Sequence, residues 1–372
     1  LVAFESGKDY VRNDLGGGLT NQMMGIANAL HVGHRMKNGM VILPSAWTRA
    51  SWNSTSMAAL KHERVPFGRL FDAQSIILKA QQLLNVHVVT EDDVLVMFQK
   101  RVQTIDINFP HRFMTVGELN DVIEGAIKTA MQDASKDSDL SRRPLAFRVS
   151  LGPLSDMVRC TDPQETKFRM MALETLSFTN DVHDAAALIV NTMSTHRGKF
   201  TGVHVRANER DGLVFSSLFQ NTSPPHVELL RKLNSFPHVP RTVYLAGGAT
   251  AGSAAHKLLK SNGFLPLSKD DVLEENGSLA QSLQNIPEKM AAVDFLVVLK
   301  SDAFFGFSHS TFSCLVYANL QQKANHSSHH FYDRFAPPWQ ILMNVDPLCN
   351  YTKCPANLGT ILSADRQGGR WG

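Results

Sequence analysis

Cysteine is scarce in this chain of 372 residues: Cys160, Cys314, Cys349 and Cys354 are all there is. None of them forms a C-x-x-C pair, which speaks against a zinc site of ordinary spacing. No uninterrupted apolar stretch reaches the roughly 20 residues that a bilayer-spanning helix needs. Charge of one sign is lacking too. The 37 basic and 34 acidic side chains leave a net charge of only +3, which argues against nucleic acid as the main partner. There is no G-x-S-x-G elbow for acyl transfer, and there are no internal repeats or low-complexity tracts.

What is present is core-forming material. Hydrophobic residues make up 43% and charged residues 19%, the balance of a globular protein. The length exceeds one typical core, so two domains are expected. Short apolar runs alternate with helical patterns. Met40–Leu43, Val86–Val89, Val94–Met97, Thr201–Val205, Thr242–Ala246 and Phe295–Leu299 read as strands. Helical patterns begin at Asn21, run over 181–196, and recur around Ala254–Leu259, Met290–Ala292 and Leu315–Leu320. Strands bounded by helices indicate an α/β protein with parallel sheets covered on both faces. Residues 131–165 are polar and punctuated by proline and glycine, and read as a linker or excursion.

Gly16-Gly17-Gly18-Leu19-Thr20-Asn21-Gln22 is the most informative stretch. Three glycines allow a tight turn and a close approach to a ligand. The following helix would offer unpaired N–H groups and a positive dipole end to an anion. It matches neither common phosphate motif: no lysine appears until Lys37, and the G-x-G-x-x-G spacing is absent. Taken alone it reads equally as a plain strand–helix connection.

Three further segments sit at strand ends. His204-Val205-Arg206-Ala207-Asn208-Glu209-Arg210-Asp211 follows a strand, where open α/β sheets bind ligands. Arg206 suits a diphosphate, being always charged and able to donate two bonds at once; a surface charge cluster is the plainer reading. Ser308-His309-Ser310-Thr311-Phe312-Ser313 precedes a helix, and its hydroxyls and amides suit a phosphate or simply an N-cap. Gly247-Gly248 ends the strand 242–246 and either lines the same cleft or only turns the chain.

Other strings carry less. Asp137-Ser138-Asp139 spells a D-x-D, but in a polar stretch rather than at a strand end. Asp92-Asp93 and Asp270-Asp271 look like helix starts, and His329-His330 lacks partners at metal-ligand spacing. N-glycosylation sequons at Asn53, Asn221, Asn276, Asn325 and Asn350 lean toward a secretory-pathway lumen. That setting would permit a Cys349–Cys354 disulfide, and the start on Leu1 fits the removal of an N-terminal signal or anchor.

Taken together and in order, these segments resemble the GDP-fucose protein O-fucosyltransferase-like superfamily. Gly17-Gly18-Leu19-Thr20-Asn21-Gln22 is similar to its G-x-x-x-N-Q loop, and His204-Val205-Arg206 to its H-x-R strand end. Val243–Gly248 resembles the third motif, best in plant-type members, and Ser301–Gly306 with Ser310–Ser313 the fourth. The S-T-F-S string and Asn21-Gln22-Met23 are also similar to α-1,2-fucosyltransferases. The resemblance implies a GT-B fold: a Rossmann-like acceptor-side domain over 1–180, and a Rossmann-like nucleotide-sugar domain over 181–372. It implies inverting fucosyl transfer from GDP-fucose to a protein or glycan hydroxyl, with no metal or other cofactor.

The resemblance also implies roles. Arg206 would stabilise the leaving diphosphate, with His204 touching the nucleotide beside it. Ser310, Thr311 and Phe312 would supply hydroxyls and amides to the phosphates. Gly17, Gly18, Gln22 and Gly247 would line the cleft, and Asn21 would hold the sugar or position the acceptor. Asp294 would read the purine. The motif assigns no general base; Glu209 is placed ahead of Asp211 as the nearest carboxylate to Arg206. Two other readings stay open: transfer from a UDP-sugar such as UDP-rhamnose, and a glycan- or nucleotide-binding protein without activity.

Overall fold

The computed structural model describes residues 2–3, 18–35, 40–43, 45–49, 62–90, 103–108, 116–136, 145–150, 163–205, 224–247, 251–274, 276–307, 310–322 and 329–331. These form two five-stranded parallel sheets and a two-stranded antiparallel hairpin.

The first sheet holds β1 (Val2–Ala3), β2 (Met40–Leu43), β5 (His87–Thr90), β6 (Gln103–Asn108) and β7 (Leu145–Ser150), in the order β5-β2-β1-β7-β6. The hairpin pairs β3 (Ala46–Arg49) with β4 (His62–Val65). The second sheet holds β8 (Thr201–His204), β9 (Thr242–Ala246), β10 (Leu265–Ser268), β11 (Ala303–Gly306) and β12 (His329–Phe331), in the order β10-β9-β8-β11-β12. In both sheets the earliest strand lies in the middle; the second sheet is built outward to either side of it, whereas in the first the edge strand β6 precedes the inner strand β7.

The helices follow the apolar spacing. α1 (Leu19–Arg35) buries Met23, Met24, Ile26, Ala27 and Leu30, a stripe at helical period. α2 (Ala73–Lys79) is capped by the Asp72 carboxylate, which accepts from the Ser75 N–H at 3.0 Å. A π-helical turn, Ala80–Leu84, extends it and ends at left-handed Asn85. α3 (Val116–Lys136), α4 (Pro163–Glu174) and α5 (Asn180–Arg197) complete the first half. α6 (Pro225–Asn234), α7 (Ala254–Ser261), α8 (Lys269–Leu273), α9 (Gly277–Gln284), α10 (Pro287–Val298) and α11 (Thr311–Gln322) surround the second sheet.

The inner strands β8, β9 and β11 of the second sheet are buried on both faces, and alternation along the strand divides their side chains between two cores. Val243 and Leu245 of β9 join Leu229, Leu233, Ala255 and Leu259 under α6 and α7. Tyr244 and Ala246 face the other way, into a larger core with Val297, Val298 and Leu315. That larger core also contains Met24, Leu30, Val41 and Phe71, so apolar packing is continuous from one sheet to the other. Stacked and edge-on rings run through it: Phe67–Phe71, Phe71–Phe178, Phe178–Phe295 and Phe295–Phe312.

Two expectations are corrected. Phe295–Leu299 is not a strand. Phe295, Val297 and Val298 belong to α10, which is buried over most of its length, and β11 follows it at Ala303–Gly306. A short apolar run looks the same in a buried strand and a helix buried all round. The polar stretch 131–165 is not a linker. It holds the end of α3, the start of α4 and, between them, β7, which pairs with both β1 and β6. The strand expected at 94–97 lies outside the described residues.

Candidate active site

Where the chain leaves a central parallel strand in opposite directions, the loops at the strands' carboxyl ends part and leave a crevice. In the second sheet that point lies between β8 and β11. His204 ends β8, Gly306 ends β11, and Ser310 and α11 come next. In the first sheet the chain after the central strand β1 leads to Gly18 and α1.

The structure joins these two places. Thr20 Oγ1, in the first turn of α1, and Thr311 Oγ1, at the start of α11, are hydrogen-bonded at 3.0 Å. Two helix N-termini therefore meet, each with unpaired N–H groups and a positive dipole end. The Gln22 N–H closes the first bond of α1 on the Gly18 carbonyl at 3.3 Å, and the Cys314 N–H does the same for α11 on Ser310 at 3.0 Å. Ser310 is thus the residue from which α11 starts, and it is buried.

The second wall is tightly built around His204. Its ring lies 4.5 Å from the Phe312 ring, and its Nδ1 is 2.8 Å from Ser313 Oγ. Ser313 Oγ also accepts from the Phe307 N–H at 2.9 Å, tying the end of β11 to α11. Behind the ring stands Gly247, at φ 94°. A Cβ there would lie 2.5 Å from the Val205 carbonyl oxygen and 2.8 Å from His204 Cδ2. Both the backbone conformation and the closeness demand glycine.

Asp294 lies one layer deeper. Oδ1 accepts from the Tyr244 hydroxyl at 2.7 Å; Oδ2 accepts from Lys269 Nζ at 2.7 Å and from the Gly247 N–H at 3.1 Å. This carboxylate, which the resemblance assigns to the purine, holds three groups of the protein itself, at 2% exposure. Burial, and then the Asp294 charge, push the Tyr244 phenol well above its ordinary range, so Tyr244 stays a neutral donor. A second buried set holds the walls together. Thr48 of β3 donates to Glu288 of α10 at 2.6 Å, and Lys289 pairs with Asp181 of α5.

Of the residues singled out from the sequence, the structure brings together Gly18, His204, Gly247, Ser310, Thr311 and Phe312, with Gln22 half-buried in the first turn of α1. Asn21 belongs to the same turn. Gly17, Arg206, Glu209 and Asp211 lie outside the described residues, as do Cys349 and Cys354. Asn276 is exposed at the start of α9; the other sequons are not among the described residues. Among the described residues no group of three or more His, Cys, Asp or Glu is placed to hold a metal ion. No described helix is long and apolar enough to cross a membrane.

Sequence reasoning passed over Thr20 and Ser313. Both stand inside motif strings, but a hydroxyl's partner 291 or 109 residues away leaves no periodic signal.

Comparisons with known proteins bear on this arrangement. Solved structures similar to the chain include POFUT1 in complex with GDP (14% identity, TM-score 0.47, covering 89% of this chain and 97% of that one). Another is NodZ α-1,6-fucosyltransferase soaked with GDP-fucose (12% identity, TM-score 0.44, 86% and 92%). A third is an arginine-to-lysine mutant of Arabidopsis thaliana FUT1 in complex with GDP (11% identity, TM-score 0.40, 86% and 67%). No curated protein matches the chain by sequence. The family model for GDP-fucose protein O-fucosyltransferase matches residues 10–321. With that match over most of its length, the chain belongs to the GDP-fucose protein O-fucosyltransferase family and is a glycosyltransferase.

Proposed function

We propose that the chain transfers fucose from GDP-fucose to a hydroxyl of a protein or glycan acceptor, by an inverting, metal-independent displacement on a GT-B scaffold. The observation that carries this reading is the Thr20–Thr311 hydrogen bond. It sets the N-termini of α1 and α11, the helices that follow β1 and β11 of two parallel sheets, beside each other, a natural place for a diphosphate. Family membership supplies the sugar.

In this reading the acceptor oxygen attacks the anomeric carbon from the face opposite the diphosphate. The new C–O bond forms as the bond to the β-phosphate oxygen breaks. The acceptor proton passes to a base, Glu209 or Asp211, and GDP leaves carrying the bonding pair. Arg206 stabilises the charge that develops on the diphosphate. The Ser310–Phe312 backbone and hydroxyls hold the phosphates, and His204 and Gly247 form the nucleotide wall. Asn21, with Gly17, Gly18 and Gln22, faces them from the acceptor side. Residues 1–180 are the acceptor domain and 181–372 the donor domain. The enzyme works in the lumen of the secretory pathway, where a Cys349–Cys354 disulfide can form.

A donor panel read by product mass, run in excess chelator, tests this. Transfer from GDP-fucose in EDTA is expected, with GDP rather than UDP binding in calorimetry. Arg206→Ala is expected to lower turnover by about 3 kcal/mol or more, a hundredfold or beyond, with the fold retained. Transfer only from UDP-sugars, activity that needs added manganese, or near-normal turnover in Arg206→Ala overturns the corresponding part.

A further inference from the structure

Ser313 is fully buried, and among the described residues its hydroxyl has two hydrogen-bond partners: the Phe307 N–H at 2.9 Å and His204 Nδ1 at 2.8 Å. A hydroxyl carries one proton and two lone pairs. The Phe307 amide can only donate, so it takes a lone pair. Among the described residues the hydroxyl proton then has a single acceptor within reach, which is Nδ1. Were Nδ1 protonated instead, two donors would point at Oγ and the hydroxyl proton would be buried without a partner, an arrangement that folded proteins avoid.

We infer that Ser313 is a positioning residue that fixes His204 as the tautomer with its proton on Nε2. His204 then meets the nucleotide as a neutral hydrogen-bond donor and does not serve as a base. The inference rests on the nucleotide site proposed above, which it deepens. The surroundings hold the ring in one orientation. Phe312 lies against it, and the Gly247 turn sits where any Cβ would meet the ring edge, 2.8 Å from Cδ2 and 3.0 Å from Nε2. Rotation of the ring would break the Ser313 bond, so orientation and tautomer are set together. A donor at Nε2 suits an oxygen acceptor such as a nucleobase carbonyl, a ribose oxygen or a phosphate.

The test is nitrogen NMR on the full chain labelled at histidine, with the His204 signals assigned by their loss in His204→Gln. In the wild type the protonated nitrogen is expected to be Nε2, and GDP should shift its resonance. Ser313→Ala should scramble the tautomer and weaken GDP binding in calorimetry about five- to tenfold, the scale of one hydrogen bond. Ser313→Thr, which keeps the hydroxyl, should restore both. A proton on Nδ1 in the wild type overturns the inference without need of any variant. So does a Ser313→Ala protein with the wild-type tautomer and affinity. Failure of the wild type to bind GDP would instead overturn the nucleotide-site reading, while the resonances would still decide the tautomer.

Discussion

The two sides of the candidate cleft are built differently. On the second-sheet side the described groups around His204 lock to one another: His204 to Ser313, Ser313 to Phe307, Gly247 to Asp294, Asp294 to Lys269 and Tyr244. The first-sheet side meets this wall through hydrogen bonds such as Thr20–Thr311 and Thr48–Glu288, above a bed of apolar packing. A wall laced by its own hydrogen bonds faces a wall joined to it largely by apolar packing. Such an arrangement fits a site that must hold a nucleotide in one geometry while acceptors come and go.

The sharpest way to break this comparison is to remove Asp294. Asp294→Ala leaves the Lys269 ammonium buried without its counter-ion and strips the Gly247 and Tyr244 donors of their acceptor. A loss of about 3–5 kcal/mol in urea unfolding is expected. A loss below about 1 kcal/mol would mean that the network does not rigidify the wall.

Gly247→Ala comes next. Strain at positive φ and contact with Val205 and His204 should cost about 1–3 kcal/mol and displace the histidine, lowering GDP affinity in calorimetry. Gly263→Ala is the control. Gly263 also has positive φ, at 78°, but nothing lies near its would-be Cβ, so stability should fall while GDP affinity holds. Equal effects of the two on affinity would refute a specific role for the turn.

Thr20→Val removes the hydroxyl contact with Thr311 and little else. About 1 kcal/mol in kcat/KM, roughly fivefold, is the expected loss. An undiminished rate would show that turnover does not depend on the Thr20–Thr311 tie.

The smallest effect concerns pH. His330 of β12 stacks on Phe236, with ring centroids 3.9 Å apart. Burial, and then the Lys232 ammonium, push its imidazole below the ordinary value. A depressed histidine takes up its proton in the unfolded chain first. Its effect on stability is therefore flat above about pH 6.5, and stability falls as the pH drops below that value toward the folded-state pKa. Urea midpoints at several pH values should show this slope, shallower in His330→Gln; identical slopes would rule out His330 as its source.

Much of this molecule was legible residue by residue. β2, β5, β8 and β9 lie where runs of Val, Ile and Leu end at turns, and α1, α5, α7 and α11 where apolar residues recur at helical spacing. The strand ends carrying His204 and Gly247, and the hydroxyls before α11, could be picked out because open parallel sheets place chemistry there. The misreadings have a common cause. β7 is central but sits in a polar, punctuated neighbourhood, and α10 is so buried that no polar face reveals its period. Local pattern reports how a segment meets water, and both segments depart from the pattern their type usually shows.

By itself, then, the sequence determined the alternation of strands and helices, the family motifs and their order, because periodicity and glycine placement act within a few residues. Only the tertiary structure decided which of these meet. Thr20 reaches Thr311, Ser313 reaches His204, and Asp294 turns inward to Lys269 and Gly247. Hydrogen bonds between distant segments depend on sheet order and on which face each strand presents, and both are set by the packing of the whole core.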